Sequence, residues 1–499
     1  MKKSIALILA ALQLSVLLAA CDNSKNPADT AGGADTTAVG AQDTTAPEET
    51  KELTEAEKRA LIDDELPNKK FDNRDFIIVT TDSVKTQYDA DEQSGNPIDD
   101  AIYNRNVSVE QKYDVKIETL TYADRYGVRG AIEQAVLSGD VDSFDLVAYH
   151  MVDNASNALN GSYLDWYEIP YIDFDKPWWA DTNKENLTIN GKCIIAIGDV
   201  NTSSIRNIYC YILNKDLASD LNTEDLYQLV RDGKWTLDKV REISEKAYGD
   251  LNSDGQNNVG DRFGLVSQMQ SPMNTYQWSC DVPIIRNDAQ GNAEIVLDVE
   301  RLTEVVTKVV NMYHGTNGIG SWGSTGDRTH MDVFLAGDAM MLTGLFANML
   351  TDSAEVDFTC GVLPYPKLNE EQKEYYTMVD GGGDSMGVSK IESGEDLEFI
   401  GLMTEALCAE TYKQVYPILY DVMLKNRYAD MPDDAEMMDI CVNGRVYDAG
   451  YIYDFWKGAA FWVQRLATNN DTNVASYYAQ KWPAAESHYL KSVLPLFED

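Results

Sequence analysis

Phe76-Ile77-Ile78-Val79 is a run of four apolar residues, three of them β-branched, set between polar neighbours. A run that short and that uniformly apolar marks a strand covered on both faces, as in a parallel sheet. Downstream, Asn96-Pro97 supplies a capping side chain and a proline suited to the first helical position. Asp99 and Asp100 follow in the first turn, and Ile98, Ile102 and Val109 keep the helical period only roughly. Val115–Glu118 then reads as a strand, Val128–Leu137 as a helix and Phe144–Tyr149 as a third strand. Strand, helix, strand, helix, strand implies right-handed crossovers and a parallel sheet, so the fold class is α/β. Ligands bind such sheets beyond the carboxyl ends of the strands. That places Thr81, Asp82 and Ser83, and then Tyr149 and His150, at the mouth of a cleft.

The rest of the chain extends this pattern. Asn190-Gly191 inside Leu187–Ile195 is a type I′ hairpin signal. Tyr209–Leu213 reads as a strand, a helix begins near Trp235–Asp238, and a helix-rich region follows Glu392. With 499 residues the chain is long enough for two or three globular units, and 44% apolar residues suffice to give them cores. Acidic residues number 82 against 41 basic ones, a formal net charge of -41. Such a surface repels phosphate backbones and anionic headgroups, which argues against nucleic acid and against electrostatic docking to membranes.

At the N-terminus Lys2 and Lys3 precede an apolar run from Ile5 to Ala20, the plan of a secretory signal. Gln13 and Ser15 interrupt the run, which suits a leader better than a membrane span. Leu18-Ala19-Ala20-Cys21 resembles the bacterial lipobox. That resemblance implies that residues 1–20 are a lipoprotein signal peptide and that Cys21 is the lipid attachment site. The expected location is the bacterial cell surface, extracytoplasmic and tied to the membrane through the lipid alone. Residues 21–71 carry a tract rich in Ala, Thr, Gly, Asp and Pro, without an aromatic residue from Asp22 to Lys70, and read as a disordered tether. A short helix around Leu53–Leu66 is expected at its end. The other cysteines, Cys193, Cys210, Cys280, Cys360, Cys408 and Cys441, have no metal-ligand or redox spacing and read as small apolar residues.

Asp250–Asp261, DLNSDGQNNVGD, puts Asp250, Asn252, Asp254, Asn258 and Asp261 at positions 1, 3, 5, 9 and 12 of an EF-hand-type loop, with glycine at 6. The carbonyl of Gln256 joins them at position 7, and the set predicts a structural calcium ion. Two positions depart from the usual loop: Asn257 stands where an apolar residue is common, and Asp261 replaces the longer glutamate.

Taken with these features, SFDLVAYH, ENLTINGKCIIAIGD, YILNKDLASDL, GKWTLDKVREISEKA, FLAGDAMMLTG and GVLPYPKLNEEQ resemble, in their order, the extracellular solute-binding proteins of ABC importers. The branch they resemble is family 1, the maltose-binding-protein-like carbohydrate type, and the resemblance runs from about Asp72 to the C-terminus. It implies a two-lobed, Venus-flytrap fold with hinge strands: residues 72–205 with 343–392 in one lobe, 206–342 with 393–499 in the other. It also implies a monomer that captures a carbohydrate, in the form of an oligosaccharide, for an ABC permease. The ligand residues it implies are Tyr149, His150, Arg206, Asn207, Trp278, Phe346, Asp384 and Trp456. Aromatic faces and polar side chains together match the C–H faces and hydroxyl rim of a sugar. The alternatives are a surface glycan-binding lipoprotein, a receptor for a peptide or other solute, and an exported glycoside hydrolase. Against catalysis, the chain carries no H-E-x-x-H or Walker sequence.

Overall fold

The computed structural model describes residues 53–90, 92–288, 290–323, 327–351, 356–425, 432–454 and 459–498. The helix α1 (Glu55–Ala60) precedes β1 (Arg74–Thr81), in which Phe76, Ile78 and Val79 are fully buried. Burial of side chains of that size contributes about 1.5–3 kcal/mol each. The helix α2 (Pro97–Tyr113) starts as its sequence specifies: the Asn96 side chain accepts from the amides of Ile98 and Asp99 at 2.9 and 3.4 Å. It stops at Asp114, whose φ of 54° turns the chain straight into β2 (Val115–Tyr122). The helix α3 (Arg125–Ser138) leads to β3 (Leu146–His150), from which α4 (Met151–Leu159) continues directly.

A hairpin of β4 (Thr188–Ile189) and β5 (Lys192–Cys193) turns on Asn190 and Gly191, with φ values of 50° and 82°, the left-handed pair a type I′ turn requires. The short helix α5 (Ser203–Arg206) then carries the chain into β6 (Tyr209–Asn214). After it come β7 (Phe263–Gln268), the hairpin β8 (Ile285–Asn287) and β9 (Ala293–Ile295), β10 (Ile319–Trp322), β11 (Ala339–Leu345) and β12 (Cys360–Leu363). Two short strands remain before the C-terminal helices, β13 (Thr377–Met378) and β14 (Asp384–Gly387).

Two sheets organise these elements. The first has the order β14-β3-β1-β2, parallel except for β14, which runs against β3. The second has the order β10-β7-β11-β6-β12; β10, β7 and β11 are parallel, while β6 opposes both of its neighbours. The helix Leu237–Ala247 lies directly on β7 because Gly264 has no side chain: a Cβ there would come within 2.2 Å of Ser244 Cα. One continuous apolar core joins both sheets.

Three boundaries differ from those read in the sequence. The segment 343–392, expected wholly in the first lobe, contributes the end of β11 and all of β12 to the second sheet; it enters the first sheet only at β14. The helix Gly394–Glu410, expected in the second lobe, packs on α2 of the first, and its Phe399 ring sits 4.7 Å from Phe71 and 5.7 Å from Phe76. The last part of the expected tether, 53–71, is also folded: Arg59 lies 4.5 Å over the Tyr412 ring, and Lys112 holds the buried Asp64 at 2.6 Å. In each case side chains far apart in the chain provide the packing, and local composition carries no signal of it.

Candidate functional site

The carboxyl edges of the two sheets meet at one place. On the first sheet, β3 ends at His150, and β14 runs antiparallel so that Asp384 stands opposite His150. On the second, β11 ends at Leu345, and the next amide, Phe346 N, donates to the carbonyl of Ile208 at 3.0 Å. Ile208 bridges in turn to Val379, and the amide of Asp380 donates to the carbonyl of Asn207 at 2.9 Å. The two chain crossings, 206–208 and 379–384, thus run side by side between the sheets.

A charged cluster sits at this junction. His150 Nδ1 lies 2.9 Å from Asp153 Oδ2, off line for a straight hydrogen bond, and Nε2 lies 2.9 Å from Arg125 Nη1. Arg125 also reaches Asp153 Oδ2 at 3.1 Å. A guanidinium only donates, so Nε2 accepts and the ring proton sits on Nδ1, facing Asp153. Burial pushes the Asp153 carboxyl up, but the His150 N–H facing it and the charges of Arg125 and Arg129 outweigh it and hold the group below its usual range. Asp380, half-buried, accepts from Tyr209 OH at 2.7 Å and from the amide of Gly382 at 2.8 Å. The glycines after it are close-packed: a Cβ at Gly381 would lie 2.4 Å from Tyr451 OH.

Asp384 is held from behind. Gln87 Nε2 and Tyr88 OH each donate to its Oδ2 at 3.0 Å, and its amide donates to Ser203 Oγ at 2.9 Å. Gln87 Oε1 accepts from Thr202 Oγ1 and from the amide of Ser203, both at 2.9 Å, which locks the turn carrying Arg206 and Asn207. Burial pushes the Asp384 carboxyl up to about 6 against the hydrogen bonds from Tyr88 and Gln87. Beyond the carboxyl end of β7, a cavity of about 350 Å³ is lined by Gln270, Phe461, Gln464, Arg465 and Thr468 among others, an aromatic edge among amide and hydroxyl groups.

Of the expected ligand residues, the structure brings together His150, Arg206 and Asn207, with Asp384 behind them. It does not expose Tyr149, whose ring is fully buried and whose hydroxyl accepts from Asn157 Nδ2 at 3.0 Å. Phe346 is likewise buried, and Trp278 donates its Nε1 to the buried Asp448 at 2.9 Å while its ring packs on Tyr451. These three are corrections: Tyr149 and Phe346 end or follow an apolar run, Trp278 lies in the buried helix Ser271–Ser279, and each turns into the core, where its apolar area is worth most. Trp456 and Cys21 lie outside the described residues. Arg125, Asp153 and Asp380 were not singled out in the sequence. The i, i+3 spacing of His150 and Asp153 at a helix start was a usable signal for one of them; Arg125 left none.

The Asp250–Asp261 loop has the turn pattern its sequence specifies. Asp250 Oδ2 accepts from the amide of Gly255 at 3.0 Å, Asn252 Oδ1 from that of Asp254 at 2.9 Å, and Asp254 Oδ1 from that of Gln256 at 2.8 Å. Asp261 is fully buried, and its Oδ1 has no hydrogen-bond partner. Asn258 Nδ2 donates to Asp254 Oδ2 at 2.7 Å and Asn252 Nδ2 to Asn258 Oδ1 at 3.0 Å, so amide hydrogens fill the space between the oxygens. In that arrangement, among the described residues, no three His, Cys, Asp or Glu side chains form a metal-holding group. Rotating the two amides by half a turn would present oxygens instead, and the donor types and order fit calcium.

No protein-family model and no curated protein sequence matches the chain. Solved structures do. The ABC substrate-binding protein Lmo0181 from Listeria monocytogenes, in complex with cycloalternan, is 13% identical, with a TM-score of 0.53 over 83% of this chain and 99% of that one. The maltose/maltodextrin-binding domain MalE from Bdellovibrio bacteriovorus, bound to maltotriose, is 14% identical, with a TM-score of 0.52 over 84% of this chain and 100% of that one. A family 1 extracellular solute-binding protein from Bifidobacterium longum subsp. infantis is 13% identical, with a TM-score of 0.51 over 83% and 99%. At such identities the likeness is one of fold, and the fold is the two-lobed α/β fold of solute-binding proteins. The resemblance read from the sequence is borne out at that level. Among the described residues no helix is long and apolar enough to cross a membrane.

Proposed function

We propose that the chain is an extracytoplasmic solute-binding protein that captures a carbohydrate, in the form of an oligosaccharide, between its two lobes. It delivers the sugar to an ABC permease, is held at the cell surface by a lipid on Cys21, works as a monomer and performs no chemistry on its ligand. The observation that carries this reading is the meeting of both sheets' carboxyl edges at 206–208 and 379–384, with His150, Asn207 and Asp380 beside it. The sugars bound by two of the similar structures support the ligand class. Closure would follow from ligand binding the closed arrangement more tightly than the open one.

A thermal-shift screen against neutral and acidic mono- and oligosaccharides tests it. A true ligand at one hundred times its Kd adds about 2.7 kcal/mol and raises Tm by several degrees, growing with concentration. No shift with any sugar overturns the carbohydrate reading.

The Asp250–Asp261 loop is proposed to hold one calcium ion through Asp250, Asn252, Asp254, the Gln256 carbonyl, Asn258 and Asp261. The ion would supply the partner that Asp261 Oδ1 lacks and would brace the second sheet. Calcium is expected to raise Tm, and Asp261→Asn to remove that rise. An equal melting temperature in calcium and in chelator overturns the assignment.

A further inference from the structure

Arg206 is unlike the other arginines around the first sheet. Arg74 pairs with Asp396 at 3.0 Å, Arg125 with Asp153, and the fully buried Arg105 makes five side-chain hydrogen bonds. Arg206 forms no ion pair and no side-chain hydrogen bond among the described residues, and its Nε is buried without a partner. The charges acting on it are Asp99, in the first turn of α2, and Asp384, at the end of β14 that faces His150. Both lie at the carboxyl edge of the first sheet, the edge that meets the second sheet at Ile208, two residues from Arg206.

Arg206 is half-buried: its Nε is withdrawn from water without a counter-charge, which is costly and lowers the affinity of the group for its proton, while part of the side chain stays open to solvent. Asp384 acts on it only through space and forms no ion pair with it; both hydrogen bonds to its Oδ2 come from Gln87 and Tyr88. A neutral sugar's hydroxyls are served without a full charge, by amides and carboxylates of the kind that Asn207 and Asp380 supply. An acidic sugar has every need of it: the chain carries a net charge of -41, which repels an anion until a fixed cation meets it at close range. The planar fork of arginine matches a planar carboxylate in a two-point contact.

We infer that Arg206 is the specificity-determining residue of the cleft and that the captured carbohydrate carries a carboxylate, as in a uronic-acid oligosaccharide. This rests on the carbohydrate reading above, and the test separates the two. Trimers of galacturonate, of mannuronate and of a glucuronate-containing glycan are titrated calorimetrically into the protein, each beside its carboxyl-reduced counterpart, in which –COO⁻ has become –CH2OH. At least one acid is expected to bind about tenfold or more tightly than its reduced form, as a charge-assisted contact implies. Added salt should narrow that gap, Arg206→Gln should close it and Arg206→Lys should keep part of it. If Arg206→Gln does not fold, the acid-to-reduced ratio of the unmodified protein decides alone. Reduced or other neutral sugars binding as tightly as the acids, or a gap that survives Arg206→Gln, overturns the inference and leaves the carbohydrate reading standing. No heat with any acidic or neutral sugar overturns both.

Discussion

Glu405→Ala is expected to destabilise the protein by about 3–5 kcal/mol, read as a lower urea midpoint at unchanged slope. Glu405 lies in the helix Gly394–Glu410 with 1% of its surface exposed. Its Oε1 accepts from Trp178 Nε1 at 2.7 Å, and its Oε2 accepts from Trp179 Nε1 at 2.8 Å and from the amide of Asp173 at 3.4 Å. Removing the carboxyl strands two buried indole N–H groups and leaves a cavity beside two of the largest side chains in the core. A loss below about 1 kcal/mol would mean that the indoles find other partners.

The same residue gives a pH signature. Burial pushes the Glu405 carboxyl up to about 7, against the hydrogen bonds from both tryptophans. The folded form therefore binds the proton more tightly than the unfolded chain does. The stability linked to that proton is fully present below the ordinary glutamate range and is lost as pH rises through about 7. Burial acts in the same direction on Asp145, raised to about 6, and on Glu392, raised to about 7. The protein should thus melt higher near pH 5 than near pH 8. Glu405→Gln should lie further below the unmodified protein at the lower pH than at the higher. A pH-independent gap between the two would contradict the assignment.

Arg105→Met is expected to lose a comparable amount, about 3–5 kcal/mol, and to weaken ligand binding as well. The Arg105 guanidinium donates to the carbonyls of Gln87 and Tyr88 at 3.2 and 2.7 Å, to Thr411 Oγ1 at 3.1 Å and twice to Asn106 Oδ1. It thereby fixes the turn whose Gln87 and Tyr88 side chains hold Asp384 and the 202–203 amide and hydroxyl. Its effect on the cleft is one of position. Titration of a ligand at a temperature where the variant stays folded reads that effect apart from stability. Reduced stability with unchanged Kd would show that the turn keeps its place without the guanidinium.

How much of this was legible in the sequence depended on how local the signal was. Phe76–Val79 announced β1 because a strand covered on both faces needs apolar residues at consecutive positions. Asn96-Pro97 announced α2 because capping is settled within four residues, and Asn190-Gly191 announced its turn because φ above zero selects those residue types. The cleft was legible only in part. His150 follows from the rule that sites lie beyond strand ends, whereas Arg206 and Asn207, which precede a strand, came only from the family resemblance. Tyr149 obeys the same rule yet turns inward, since the direction of a side chain at a strand end depends on what covers the sheet there. Asp384 could be noticed, but not that Gln87 and Tyr88 hold it from 296 or more residues away. Phe71 against Phe399 explains in the same way why the folded body begins earlier than composition suggested.

The placing of β14 also sets a timetable. β1, β2 and β3 have all been synthesised by residue 150, but the strand that completes their sheet, Asp384–Gly387, is made only after every strand of the second sheet. Until then β3 presents a bare edge, open to wrong partners and to chaperones. A nascent chain arranged in this way cannot finish its first sheet until Gly387 of its 499 residues has been made.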